Sequence, residues 1–309
     1  MSSSLLNSSA LIALAIPSTV IWSYSVGGAI FAIGLVTILR RGDWQRARGL
    51  EKLILFGPLC YATPLAAFGT EHFTLTEGVA SLVPKWIPWH LFWAYFVGAC
   101  FIAAALSLVT GIQARLAAVS LSLTFFLFVM FMDAPAWGRI PQNRFVLTLS
   151  LRELSFSAGA LALAGSLTSQ WRERGTHIFA TISRYVIAVA LLIYSFEQFL
   201  HADHVPGVPL DRLTPPYVPG HALWTYLAAV VYAPAGILLL IGKKTRAAAA
   251  WVGLTLLLIV LVVYIPMAVV DRATIVGLNY IFDTLMFCGA VLLLAGAMPR
   301  ESSAGSEPL

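Results

Sequence analysis

The chain has 309 residues, of which 59% are hydrophobic and only 11% charged, with a formal net charge of +5; its mean hydropathy is +0.85. A soluble domain of this length needs a charged surface that such a composition cannot supply. Apolar runs recur that are long enough for the roughly 20 helical residues needed to cross a hydrocarbon layer of about 30 Å, so the chain reads as an all-α polytopic membrane protein whose first partner is the lipid bilayer.

Nine spans are predicted, near 11–39, 50–71, 89–110, 114–132, 146–168, 179–200, 221–241, 247–270 and 275–297. Pro17 interrupts the first and moves its start toward Ser18. No positive residue precedes that run, so it reads as a membrane helix and not as a secretory signal. With the amino terminus outside, thirteen Lys and Arg fall on the inner side and six on the outer (Lys85, Arg139, Arg144, Arg152, Arg212 and Arg272). The positive-inside rule then puts the carboxyl terminus in the cytoplasm of a cell whose plasma (inner) membrane holds the protein. The basic stretch GDWQRARG at 42–49 is a topology anchor in this reading; nucleic-acid binding is not expected.

WIPWHLFWAY at 86–95 is echoed 131 positions later by YVPGHALWTY at 217–226, pairing Pro88 with Pro219, His90 with His221, Trp93 with Trp224 and Tyr95 with Tyr226. The same offset of 131 pairs Gly111 with Gly242 and Arg115 with Arg246. GTEHF at 69–73 aligns with SFEQF at 195–199, matching Glu71 to Glu197, and at an offset of 130 Glu153 and Gly159 meet Asp283 and Gly289. Each copy has four spans, an even number, so both copies share one orientation: a parallel repeat. The expected organisation is an amino-terminal helix and basic loop over 1–49, one four-helix bundle over 50–168, a second over 179–297, and a disordered cytoplasmic tail over 298–309.

Five of six histidines fall on the predicted outer side, and Glu153 and Asp283 sit seven to eight residues into their spans. An ionisable group at that depth costs about 2.5–3.5 kcal/mol on insertion scales and so faces a partner or a wet cavity. Copy one offers Glu71, His72, His90 and Glu153; copy two offers Glu197, His221 and Asp283. Imidazole and carboxylate near an interface can relay protons, hydrogen-bond a quinone carbonyl or hold a divalent metal, or can be satisfied interfacial polar groups at a bundle end. The aromatics Trp93, Tyr95 and Trp224 belong to an interfacial belt or line a slot for a ring-shaped ligand. His201 and His204 are three apart, but Pro206 and Pro209 follow and no third metal ligand stands at a recognisable spacing. Cys60, Cys100 and Cys288 are isolated in different spans, which excludes paired-thiol exchange, and no phosphate loop or dinucleotide fingerprint is present.

A four-span unit whose first helix ends on GTEHF (69–73), followed by a Pro-rich outer turn and a second helix opening on His and aromatics in VPKWIPWHLFWAYFVG (83–98), resembles the DoxX/DoxD-like membrane family, over 50–168 and more weakly over 179–297. The resemblance implies a four-helix bundle and association with quinone-linked oxidoreductase systems through a soluble or membrane redox partner. An Arg that opens the first helix in that family has its counterpart at Arg184 but meets Pro58 in copy one, and Gln198 replaces His72 in copy two. Two readings follow. In one, a membrane subunit binds quinone at the outer leaflet, with Glu71, His72, His90 and Glu153 as its working groups and Trp93, Tyr95, Glu197, His221, Trp224 and Asp283 as further contacts. In the other, the chain is a non-enzymatic carrier or scaffold.

Overall fold

The computed structural model of the chain describes residues 16–167, 175–270 and 275–300. Among these, nine helices are long and apolar enough to cross a membrane: α1 (Ser18–Arg40), α2 (Leu50–Thr74), α3 (His90–Thr110), α4 (Ala114–Arg139), α5 (Arg144–Ser166), α6 (Gly175–Leu200), α7 (His221–Ile241), α8 (Thr245–Val270) and α9 (Ile275–Ala297). No strand occurs among the described residues; one isolated bridge joins His204 and Leu213. The protein is an all-α polytopic membrane protein. Arg172, Arg174, Asp271, Arg272 and the tail from 301 lie outside the described residues.

Local chemistry places the helix ends. Pro17, with φ −54°, leads directly into α1 at Ser18, its ring presetting a helix-compatible backbone. The Asn143 side chain accepts a hydrogen bond from the Phe145 amide and starts α5. Gly111 and Gly242 end α3 and α7 with φ of +79° and +73°, values that cost other residues strain. At each of these ends an arginine caps a free carbonyl: Arg41 Nη2 donates to Thr110 at 2.7 Å, and Arg184 Nη1 donates to Leu239 at 2.8 Å. The arginine missing at Pro58 is thus replaced in space by one from the end of α1.

Two spans run on through an unpredicted change of pitch. α4 passes through a π-helical turn at Val129–Asp133 and then a 3₁₀ segment to Arg139; α8 has a π-helical turn at Val260–Tyr264. Arg152, assigned above to an outer loop, instead stands on α5, eight residues or roughly 12 Å from the helix start.

Packing ties the predicted four-span units into one body. α2 lies along α9 and α6 along α5, so the first helix of each unit packs on the last helix of the other. α5 and α9 lie against one another between them, and α1 covers α2 and α3. Lipid tails are as apolar as leucine, so close backbone approach drives this association more than the hydrophobic effect does. Glycines mark the crossings. A Cβ at Gly159 would stand 2.5 Å from the Ala290 Cα, and one at Gly289 would strike the Cys60–Tyr61 backbone. Tyr61, fully buried, donates from its hydroxyl to the Phe156 carbonyl at 2.8 Å and links α2 to α5.

Candidate functional site

A cavity of about 590 Å³ lies among α2, α3, α4, α5 and α9, toward the end of the bundle where α3 begins. Its walls are aromatic: Phe68 from α2, Trp93 and Phe101 from α3, Phe125 and Phe128 from α4, and Phe156 from α5. The short helix Thr76–Leu82 and the turn after it contribute Val79, Leu82, Pro84 and Ile87. Trp93, Phe96 and Phe131, each more than a third exposed, place its mouth on the outer surface of α3 and α4. Phe131 and Met132 belong to the π-helical turn of α4, a feature that recurs beside functional sites.

The inner wall carries the charges. Arg152 Nη1 donates to Asp283 Oδ2 at 2.5 Å and Nη2 to Glu153 Oε1 at 3.5 Å, with the three side chains 15%, 11% and 18% exposed. Glu71, at 9% exposure, and Asn279 line the same wall. Among the described residues, Glu71 Oε1, Glu153 Oε2, Asn279 Oδ1 and Arg152 Nε are buried with no hydrogen-bond partner. His72 Nδ1 lies 2.8 Å from the Phe68 carbonyl, which only accepts, so Nδ1 carries the proton and a neutral ring keeps Nε2 as an acceptor. Its ring meets Phe101 edge-on at 5.5 Å. One cation, three carboxyls, an amide and an imidazole therefore converge at the closed end of an apolar slot. Such a set can orient a polar head, hold it by hydrogen bonds and exclude bulk water.

The residues expected from the sequence divide accordingly. Glu71, His72, Glu153, Trp93 and Asp283 line this one cavity, although Asp283 was assigned to the other copy. Tyr95 and His90 stand apart from it. Tyr95 is 47% exposed and packs on Phe73, and His90 Nε2 lies 3.2 Å from the Pro84 carbonyl, where it closes the turn ahead of α3. Glu197 is held by Arg144 Nη1 at 2.7 Å, joining α6 to the start of α5 as an ion pair at a helix end. Trp224 donates from Nε1 to the Pro219 carbonyl at 3.1 Å. His221 is the first residue of α7, and its side chain lies outside the described residues.

Arg152 and Asn279 escaped sequence reasoning. The signal for Arg152 was there: an arginine two turns into an apolar run, next to an acid, should be read as buried. Asn279 had none, since polar amides occur at many helix starts.

In the 179–297 segment the loop that follows α6 is packed into the interior. Val205–Leu210 is buried throughout. The Gly207 peptide is held by Gln198 on both sides, its N–H donating to Oε1 and its carbonyl accepting from Nε2, each at 3.1 Å. A Cβ at Gly207 would meet Thr284, Leu256 and Ile259. In the sequence alignment these stand opposite Leu154, Phe125 and Phe128, and Gln198 stands opposite His72.

In the same loop the His201 and His204 rings lie 5.6 Å apart. Burial pushes the His201 imidazole below its usual range, and the hydrogen bond from His204 holds the Asp203 carboxyl below its own. Among the described residues no group of three His, Cys, Asp or Glu side chains is placed to hold a metal ion.

The DoxX family model matches residues 179–265, from α6 through most of α8. This chain is DoxX-like there, in the half where the sequence signature is weaker. No curated protein and no solved structure matches the chain.

Proposed function

We propose that this DoxX-like membrane protein is a membrane subunit of a quinone-linked redox system, binding an isoprenoid-type quinone through the cavity beside α3. The observation that carries the reading is one geometry: an aromatic slot of about 590 Å³, open at the surface of α3 and α4 and closed by Arg152, Glu153, Asp283, Glu71 and His72. Apolar walls with a few convergent polar groups are the general form of a small-molecule site. Phe101, Phe125 and Phe128 suit a planar ring, and the mouth suits an apolar tail left in lipid. A quinone would supply two-electron, two-proton chemistry. Arg152 Nε is a buried donor on this wall with no partner among the described residues, placed for a ring carbonyl, while Glu71, His72 and Glu153 are within the same wall to hold protons.

In this proposal the site faces the outside of the plasma membrane and the carboxyl terminus the cytoplasm, as the loop charges favour. The two four-span segments are a tandem duplication, a reading supported by the π-helical turns at Val129–Asp133 and Val260–Tyr264, again 131 residues apart. The first copy keeps the working site and the second has closed its own with Val205–Leu210. Mass spectrometry of the organic extract from protein purified in mild detergent tests the function. Near-stoichiometric quinone in wild type that falls in His72→Ala supports it; quinone at background in both defeats it.

A further inference from the structure

We infer that residues 75–89, the segment joining α2 to α3, are a lid over the cavity, latched by Trp86 against Phe131, and that opening this lid connects the charged wall with the water at that end of the bundle. The inference rests on reading the cavity as a ligand site and gives that site a second entrance. An apolar ligand body comes from lipid between α3 and α4, whereas water and protons come past the lid.

The segment lines the cavity and yet is weakly tied to it. Val79, Leu82, Val83, Pro84 and Ile87 form part of the cavity wall, while Leu82, Trp86 and Trp89 are 61%, 68% and 77% exposed. Among the described residues, the hydrogen bonds of 75–89 stay within the segment and its flanks. The Leu75 amide donates to the Glu71 carbonyl, Thr76 Oγ1 to that of His72 and the Trp93 amide to that of Trp89, and His90 Nε2 meets the Pro84 carbonyl. None of these reaches α4, α5 or α9. Across the cavity the tie is packing: the Trp86 ring stands edge-on to Phe131 on the π-helical turn of α4, with centroids 5.4 Å apart. A segment held by local bonds and little buried surface opens at low cost. Trp89 lowers that cost further, because its φ of +60° is a left-handed backbone that a bulky residue adopts only under strain. The aligned position 131 residues on is Gly220, with φ +63°, where no side chain opposes the turn. The loop at the same place in the other half is pinned. Tyr264 donates to the Pro206 carbonyl at 2.6 Å, Thr225 to that of His204 at 3.0 Å, and Gln198 holds both sides of the Gly207 peptide. One loop is thus hydrogen-bonded into the interior, and the other rests on its cavity through apolar side chains. The lid begins three residues after His72 and four after Glu71, so its opening wets the acid and imidazole at the end of α2 first.

The test uses the full-length protein in lipid nanodiscs, carrying Val97→Cys, a near-isosteric change on the cavity wall seven residues into α3. A charged, water-soluble methanethiosulfonate modifies that thiol, and peptide mass spectrometry follows the rate at Val97→Cys separately from Cys60, Cys100 and Cys288. Lipid at the α3–α4 mouth excludes the charged reagent, which therefore enters past the lid. Trp86→Ala, which removes the latch, should raise the rate about three- to tenfold, the effect of losing one aromatic pair. Trp86→Phe, which keeps a ring against Phe131, should stay within about twofold of the unlatched background's parent. Cys60 and Cys288, both buried, should remain unreactive throughout. An unchanged rate at Val97→Cys in Trp86→Ala would overturn the lid, and so would a parallel rise at Cys60 and Cys288, which marks a general loosening of the bundle. Quinone in the organic extract of the same protein is a separate readout. Near-stoichiometric quinone with an unchanged rate overturns the lid alone, whereas a raised rate with quinone at background upholds the lid and defeats the quinone reading.

Discussion

Replacing Arg152 by methionine removes a cation that holds α5 to α9 inside the apolar layer. In the native protein its two terminal nitrogens face Asp283 at 2.5 Å and Glu153 at 3.5 Å, all three side chains less than a fifth exposed. Methionine keeps most of the volume, so the cost is electrostatic. Two acids, with Glu71 on the same wall, are left without a counter-charge, and breaking a buried pair in this way costs about 3–5 kcal/mol. For a chain of this size that is a fall in thermal midpoint of roughly 5–8 °C. The second half of the test is Arg152→Met combined with Asp283→Leu, in which a matched apolar pair replaces the ions. That double variant should recover at least half of the loss, because desolvation is no longer opposed by an orphan charge. The assay is thermal unfolding followed by tryptophan fluorescence in detergent micelles. The exposed pair Arg46–Asp43, with side chains 71% and 35% exposed, is the internal control, and Arg46→Ala should cost less than about 1 kcal/mol. If Arg152→Met is as mild as Arg46→Ala, or if the double variant is as damaged as the sum of its parts, the bridge between α5 and α9 is not what joins them.

Three further outcomes follow from the same geometry. Gly159→Leu, whose Cβ alone would already press on Ala290, should destabilise the α5–α9 crossing by about 1–3 kcal/mol, and Gly28→Leu, which meets open space, should be silent by the same thermal assay. Gln198→Ala removes both partners of the Gly207 peptide and should cost roughly 1–3 kcal/mol while making Val208→Cys, buried in the native loop, reactive to a water-soluble maleimide; protection of that cysteine would count against the loop being held by Gln198. His90→Ala loses the turn contact to Pro84 but no cavity wall, so it should lower the thermal midpoint slightly and leave quinone content at the wild-type level, in contrast to His72→Ala.

Class and span count were legible without coordinates, because each depends on properties local in the chain. Hydropathy over some twenty residues marks a membrane helix. Pro17, Asn143, Gly111 and Gly242 act on the backbone within a turn of themselves. Glu71, Glu153 and Asp283 stood out because acids are rare inside apolar runs. The tertiary structure alone decided where these acids go. Asp283 meets Arg152 across 131 positions of chain because the last helix of one unit is packed against the first and last helices of the other, and no periodicity within a segment encodes its partner. The same holds for Arg41 standing in for the residue absent at Pro58, and for Val205–Leu210 packing into the interior. A chain carries its local preferences in every window. Which helices become neighbours is settled by shape and by the pairing of buried charges between segments that meet only when the whole bundle has formed.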